Sequence, residues 1–265
     1  MERLQTRGIR PKSPYDLNST WADYRLPSTD ELAHREIAVT LDDGRIVEFV
    51  FDEDTVNWKT QGQEKGDAAT YDAVAARENV YFVTFLHRDN LAATALALNL
   101  NTNGGVLVAN TLVRGADRTD LQQDLYPCSI GDSKGTTPEL SAELVGKRAY
   151  AEYGDGNTAE HVYFNPRRFV WQGLGKFDYS GSECDHSTTW KLDDQLFLLT
   201  WVEEWQAVSA VLLMDFKALR NVGVLFGQDD NGLLHTLVGA RLKMLGQITY
   251  PKGYEPAGTA GPSAR

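Results

Sequence analysis

The chain has 265 residues, 42% of them hydrophobic and 24% charged, a balance that suits one large or two medium globular domains. Its net charge of −11 argues against a nucleic-acid backbone as partner, and no stretch approaches the ~20 apolar residues of a membrane-spanning helix. The opening MERLQTRGIRPKSPYD is basic without an apolar core, so no secretory signal is read there and a cytoplasmic location is expected.

Residues 1–30 read as a Pro- and Ser-containing arm, with Ser28-Thr29-Asp30-Glu31 as an N-capped turn. A first β-module is expected over 31–113. It opens with LAHREIAVTLDDGRIVEFVF, two strands around Asp43-Gly44, where glycine accepts the positive φ of a tight hairpin. TVNWK around Trp58, VYFVTFLHRDN at 80–90 and ALALNLNTNGGVLVAN at 95–110 continue as strands and turns. Residues 114–143, rich in Asp, Gly, Ser and Thr, read as a connector with helical spacing across 119–126. A second module is expected over 144–250, beginning LVGKRAYAEYGDGNTAEHVYF, and 251–265 reads as a flexible low-complexity tail.

The two modules repeat one another. An offset of 112 residues separates Leu32 from Leu144 and Gly44 from Gly156. Trp58 corresponds to Trp171 at 113, and VYFVTFLHRDN to LFLLTWVEEWQ at 116. Landmarks kept in order over about a hundred residues imply two copies of one unit. Many short meandering strands must close or cover their edges, which predicts an all-β chain of two tandem antiparallel barrels. A small barrel of this kind either fills with side chains or holds one small ligand.

Within the second module, Glu160-His161-Val162-Tyr163-Phe164-Asn165, the FVW at 169–171 and the LTWVE at 199–203 resemble the molybdenum cofactor biosynthesis protein F (MoaF) family. DDGRIVEFVF and VNW in the first module are similar to that family's N-terminal domain. The resemblance implies calycin-like, lipocalin-type barrels, a group that includes fatty-acid carriers and cofactor-free enzymes such as phenolic acid decarboxylases.

Candidate chemistry follows from strand alternation. In 196–206 one face carries Phe197, Leu199, Trp201, Glu203 and Trp205. With that face inward, Glu203 is a carboxylate between two indoles, raised in pKa and fit for acid–base work. The plainer alternative puts it at the barrel mouth beside an arginine. At an offset of 116, Glu203 corresponds to His87 and Trp201 to Phe85, so both modules place an ionisable group after an aromatic on one face. His161 and Tyr163 share a face and could relay a proton, or form a satisfied core pair. Trp171, Trp190, Trp201 and Trp205 crowd the second module as ligand contacts or as core, and Phe197 joins them. Asp185-His186 is read as a loop at the mouth. His235, after Asn231-Gly232, is expected at the surface, and Cys128 and Cys184 are expected as buried reduced thiols.

No metal site is expected, because the five histidines show no HxH or HxxxH spacing. No cofactor is expected either: GxGxxG and GxxxxGK are absent, and the GxSxG string at 131–135 lacks the strand–turn–helix context of a nucleophile elbow. The expected partner is a small molecule, with neither nucleic acid nor membrane, and a homodimer is compatible with the sequence. Two readings stay open. One is a cofactor-independent lyase, decarboxylase or isomerase acting on a small aromatic molecule through Glu203, His161 and Tyr163. The other is a non-catalytic carrier or sensor.

Overall fold

A computed structural model describes residues 20–88, 91–115, 119–131, 136–154, 156–175, 181–204, 206–229 and 232–258. The first barrel runs β1 (Glu36–Leu41), β2 (Ile46–Phe51), β3 (Thr55–Thr60), β4 (Asp67–Arg77), β5 (Val80–Leu86), β6 (Ala92–Asn99), β7 (Gly104–Arg114) and β8 (Thr119–Ile130). After a two-residue β9 (Glu139–Leu140), the second runs β10 (Lys147–Gly154), β11 (Asn157–Asn165), β12 (Arg168–Leu174), β13 (Ser182–Asp193) and β14 (Leu196–Val202). It is completed by β15 (Ala207–Asp215), β16 (Arg220–Asp229) and β17 (Gly232–Gln247). Consecutive strands pair antiparallel throughout. β8 closes on β1 and β17 on β10, giving two closed eight-stranded barrels in tandem, with β9 appended to β13. Closure leaves no long unpaired edge within either ring. No helix among the described residues is long and apolar enough to cross a membrane.

Local chemistry sets the hairpins. Gly44 (φ 86°) turns the chain between β1 and β2, and Gly156 (φ 85°) does the same between β10 and β11. Asp43 reinforces the first turn by accepting from Arg45 Nε at 2.7 Å. Alternation then sends Ile37, Val39 and Leu41 inward from β1, with Glu36 facing out.

Two expectations fail in the segment between the modules. Residues 119–126 are strand, not helix, and 119–130 belong to the first barrel rather than to a connector. Leu and Gln in DLQQDLY favour helix locally, but β8 pairs with β7 along its whole length and supplies the last rung of the ring. Tertiary pairing outweighs propensities of a few tenths of a kcal/mol per residue.

The barrels meet through corresponding surfaces. Val80, Phe82, Val106 and Val108 face outward from the first and pack with Leu196, Leu198, Val222 and Val224 of the second, each pair related by an offset of 116. The duplicated modules thus associate as two copies do in a twofold dimer. β5 and β14 are therefore buried on both faces, with fully buried Val, Leu or Phe side chains worth roughly 1.5–3 kcal/mol each. Hydrogen bonds also cross the seam: Ser209 Oγ donates to Asn110 Oδ1 at 2.9 Å, and Asn99 Nδ2 to the Leu192 carbonyl at 3.0 Å.

His235 lies in this seam, 3.3 Å from Thr84 Oγ1, and burial lowers its pKa to about 4. The expectation of a surface histidine is corrected, because β17 lays His235 against Thr84 of the first barrel. Cys128 is buried as expected, whereas Cys184 is exposed on the outward face of β13.

Candidate active site in the second barrel

The second barrel holds an interior cavity, and the repeat shows what opens it. Ile37, Val39, Val47 and Phe49 project into the first barrel. Their counterparts at an offset of 112 are Ala149, Ala151, Ala159 and His161. The pairings are the same: Val39 opposite Val47 and Ala151 opposite Ala159, Ile37 opposite Phe49 and Ala149 opposite His161. Each exchange to alanine removes two or three carbon atoms from the interior. Tyr71 and Tyr126, packed on the first core, correspond to Ser187 and Val238. Trp58 and Trp171 keep equivalent places, opposite Phe49 and His161 respectively.

The resulting cavity measures about 40 Å³ of space open to the centre of a water molecule, room for about three waters. Trp171, Trp201, His161 and Tyr153 border it together with Trp21, and the rest of the wall is apolar. Trp21 arrives from the short 3-10 turn Thr20–Ala22 and packs on Tyr153 with ring centroids 4.8 Å apart. An aromatic from the N-terminal arm therefore lines a space that belongs to the C-terminal barrel.

Burial governs the electrostatics. His161, 2% exposed, has its pKa pushed down to about 4 by desolvation, with the Glu160 charge opposing, so the imidazole is neutral at pH 7. Glu160 points the other way, where Arg148 holds its pKa low and Gln172 Nε2 donates to it at 2.6 Å. Tyr163 Oη lies 3.4 Å from His161 Nδ1. Burial raises the pKa of Tyr163, and raises that of Tyr153 to about 12 with Asn221 hydrogen bonding in opposition.

Two carboxyl groups lie inside the barrel. Asp185 is fully buried, and desolvation followed by the neighbouring Glu183 charge pushes its pKa up to about 7. Its Oδ2 accepts from Trp171 Nε1 at 3.1 Å, and Oδ1 has no hydrogen-bond partner among the described residues. Glu203, 4% exposed, is pushed up to about 8 by desolvation, against the opposing donation from Gln206 Nε2 at 2.8 Å. Among the described residues no three His, Cys, Asp or Glu side chains converge as a metal site requires.

The structure sorts the sequence candidates. His161, Trp171 and Trp201 border the cavity. Tyr163 stands behind His161, and Phe197 packs on Phe216 in the filled part of the same core. Glu203 is inward and buried one residue beyond β14, but does not border the cavity. Asp185-His186 is not a loop: both lie in β13, where alternation buries Asp185 and turns His186 outward to meet Arg168 at 2.6 Å. Trp190 also faces out, against the inter-barrel cluster, because it shares the face of His186 rather than of Asp185. His87 belongs to the first barrel, near Trp58 and bonded to Thr94 Oγ1 at 2.9 Å. Trp205 lies outside the described residues.

Comparison with known proteins places both halves of this architecture. The MoaF N-terminal domain family matches residues 15–114 and the MoaF C-terminal domain family residues 138–248. The chain belongs to the MoaF family. Protein MoaF of Klebsiella aerogenes is 26% identical over 212 residues, covering 73% of this chain and 78% of the relative. A solved structure from Burkholderia vietnamiensis, named as a candidate beta-lactamase, is 17% identical and covers 40% of this chain and 98% of its own, at a TM-score of 0.35. That likeness carries no argument.

In MoaF terms, the cavity is walled mainly by the C-terminal domain and also bordered by Trp21, which falls within the N-terminal match. Two of its residues escaped the sequence reading. Tyr153 was legible in KRAYAEYG, where Ala149, Ala151 and Tyr153 alternate on one face. Trp21 carried no signal, since its target lies more than a hundred residues away in sequence.

Proposed function

We propose that the second barrel binds a small aromatic molecule and transfers a proton on it without a cofactor, as a lyase, decarboxylase or isomerase does. The observation that carries this reading is His161, a buried neutral imidazole facing an indole-walled cavity with a phenol 3.4 Å from its Nδ1. A neutral imidazole is a competent proton acceptor, and exclusion of water strengthens every polar contact made there. Tyr163 orients His161. Glu203, raised to about 8, holds its proton at neutral pH, buried in the same barrel but off the cavity wall. Asp185 fixes the Trp171 indole against which a planar ligand stacks. A ligand larger than a few waters enters when Trp21 withdraws.

A carrier is the second reading, favoured by one observation: among the described residues no Asp, Glu, Lys or Arg borders the cavity. Incubation with 4-hydroxycinnamic acid and with dodecanoic acid, followed by thermal shift and product analysis, separates the two. Consumption of the phenolic acid by the wild type and not by His161→Ala supports the enzyme. Binding without consumption supports the carrier, and no thermal shift with either acid overturns both.

A further inference from the structure

A second concavity lies outside the barrels, at the seam between them. Its floor is the outward face of β13 and β14, where Thr188 pairs across to Thr200 and Trp190 follows two residues on. Leu125 of β8, Leu140 of β9 and Arg167 stand around it, and it spans about 1130 Å³ on the same measure as the cavity. It is no part of the proton-transfer site described above, although the Trp201 ring borders both spaces.

Three features of this groove need a ligand to explain them. Thr200 is 1% exposed, yet its Oγ1 has no hydrogen-bond partner among the described residues. The Trp190 indole nitrogen is likewise buried and unpartnered among the described residues. Each such group costs about 1–3 kcal/mol while unsatisfied, so two on one sheet face are seldom retained without use. The third feature is charge. The chain carries 37 acidic residues against 26 Lys and Arg, but no described residue bordering the groove is Asp or Glu. Its ionisable lining consists of Arg167 and His186, with Arg168 on His186 and Glu204 3.4 Å from Arg168 just outside.

We infer that the groove is a binding site for a small organic carboxylate with an apolar body. The carboxylate takes hydrogen bonds from the buried Thr200 hydroxyl and Trp190 N–H and the charge of Arg167, a guanidinium that suits planar oxyanions. Leu125, Leu140 and Val202 receive the apolar part. A site at a domain interface with a few polar groups among apolar walls is the usual construction for a small ligand.

The test uses the full chain with benzoate and hexanoate as probes and inorganic phosphate as control. Both carboxylates are expected to raise the melting temperature and change tryptophan fluorescence at low salt, with phosphate having little effect. Thr200→Val and Trp190→Phe keep shape while deleting the unpartnered groups. They are expected to leave the melting temperature of the free protein unchanged or higher, yet weaken benzoate binding at least fivefold. Arg167→Gln is expected to weaken binding and remove its salt dependence. The double exchange Ala151→Val with Ala159→Val fills the barrel cavity and is expected to leave benzoate binding intact. The inference is overturned if neither carboxylate shifts the melting temperature, if Thr200→Val and Trp190→Phe bind like the wild type, or if filling the cavity abolishes binding.

Discussion

Arg77 of the first barrel grips Asp215 of the second through two parallel hydrogen bonds of 2.7 Å each. A third contact, to Asp193 at 3.2 Å, draws the β13–β14 turn into the same clasp. Burial works to raise the Asp215 pKa, but Arg77 and the backbone N–H groups of Ala218 and Lys217 outweigh it and hold the carboxyl below its ordinary range. The pair therefore stabilises the native chain above about pH 4, and that contribution is lost as pH falls through the lowered pKa of Asp215. Arg77→Ala should cost about 2–3 kcal/mol in urea unfolding at pH 7, a little under the buried-pair range because Arg77 is partly exposed. The gap to wild type should narrow below pH 3. A pH 7 difference under about 0.5 kcal/mol would place the strength of the seam in its apolar cluster alone.

His161 occupies the place of Phe49, and reversing that exchange is informative. With a native pKa of about 4 against about 6.5 unfolded, the unfolded chain takes up a proton that the folded chain refuses between those values. Stability therefore falls as pH drops from about 6.5 to 4. His161→Phe should remove that loss, adding on the order of 2 kcal/mol at pH 5 and little at pH 8. Chemical denaturation at the two pH values checks it, and equal gains at both would mean packing alone was changed.

Glu203 has the opposite dependence. Its pKa is about 8 folded and about 4.3 unfolded, so the folded chain keeps a proton that the unfolded one releases, and stability declines as pH rises across that interval. Glu203→Gln should be close to wild type at pH 4.5 and more stable by roughly 4 kcal/mol at pH 9. Melting curves at both values test this. A Gln variant that is less stable at pH 9 would show that the carboxylate has a compensating partner.

Trp21 forms part of the cavity wall and packs on Tyr153. Trp21→Ala should lower stability by about 3 kcal/mol, the cost of removing a large buried ring, and enlarge the space beside His161. Phenol should then bind faster by stopped-flow fluorescence. An unchanged rate would show that ligands reach the cavity by another route.

Much of the site's legibility came from one device, the repeat. Aligning Val39 with Ala151 and Val47 with Ala159 foretells the hollow barrel without coordinates, because alternation fixes which residues turn inward. Trp190 shows how alternation decides a face once the strand is known. It shares a strand with inward Asp185 but stands five positions further on, an odd offset, so it faces the seam. Strand 119–130 was hidden because its local composition favours helix, and only closure onto β1 decides otherwise.

The sequence by itself determined the β class, the duplication and the inward face that carries Phe197, Leu199, Trp201 and Glu203, because period-two patterning is local and survives in the order of residues. Tertiary structure alone decided that Trp21 borders a cavity built by the other domain, that His235 is half-buried in the seam, and that Thr200 and Trp190 floor a groove with no described acidic residue on its border. Those outcomes depend on contacts between segments far apart in the chain, and no local pattern records which distant surface a residue will meet.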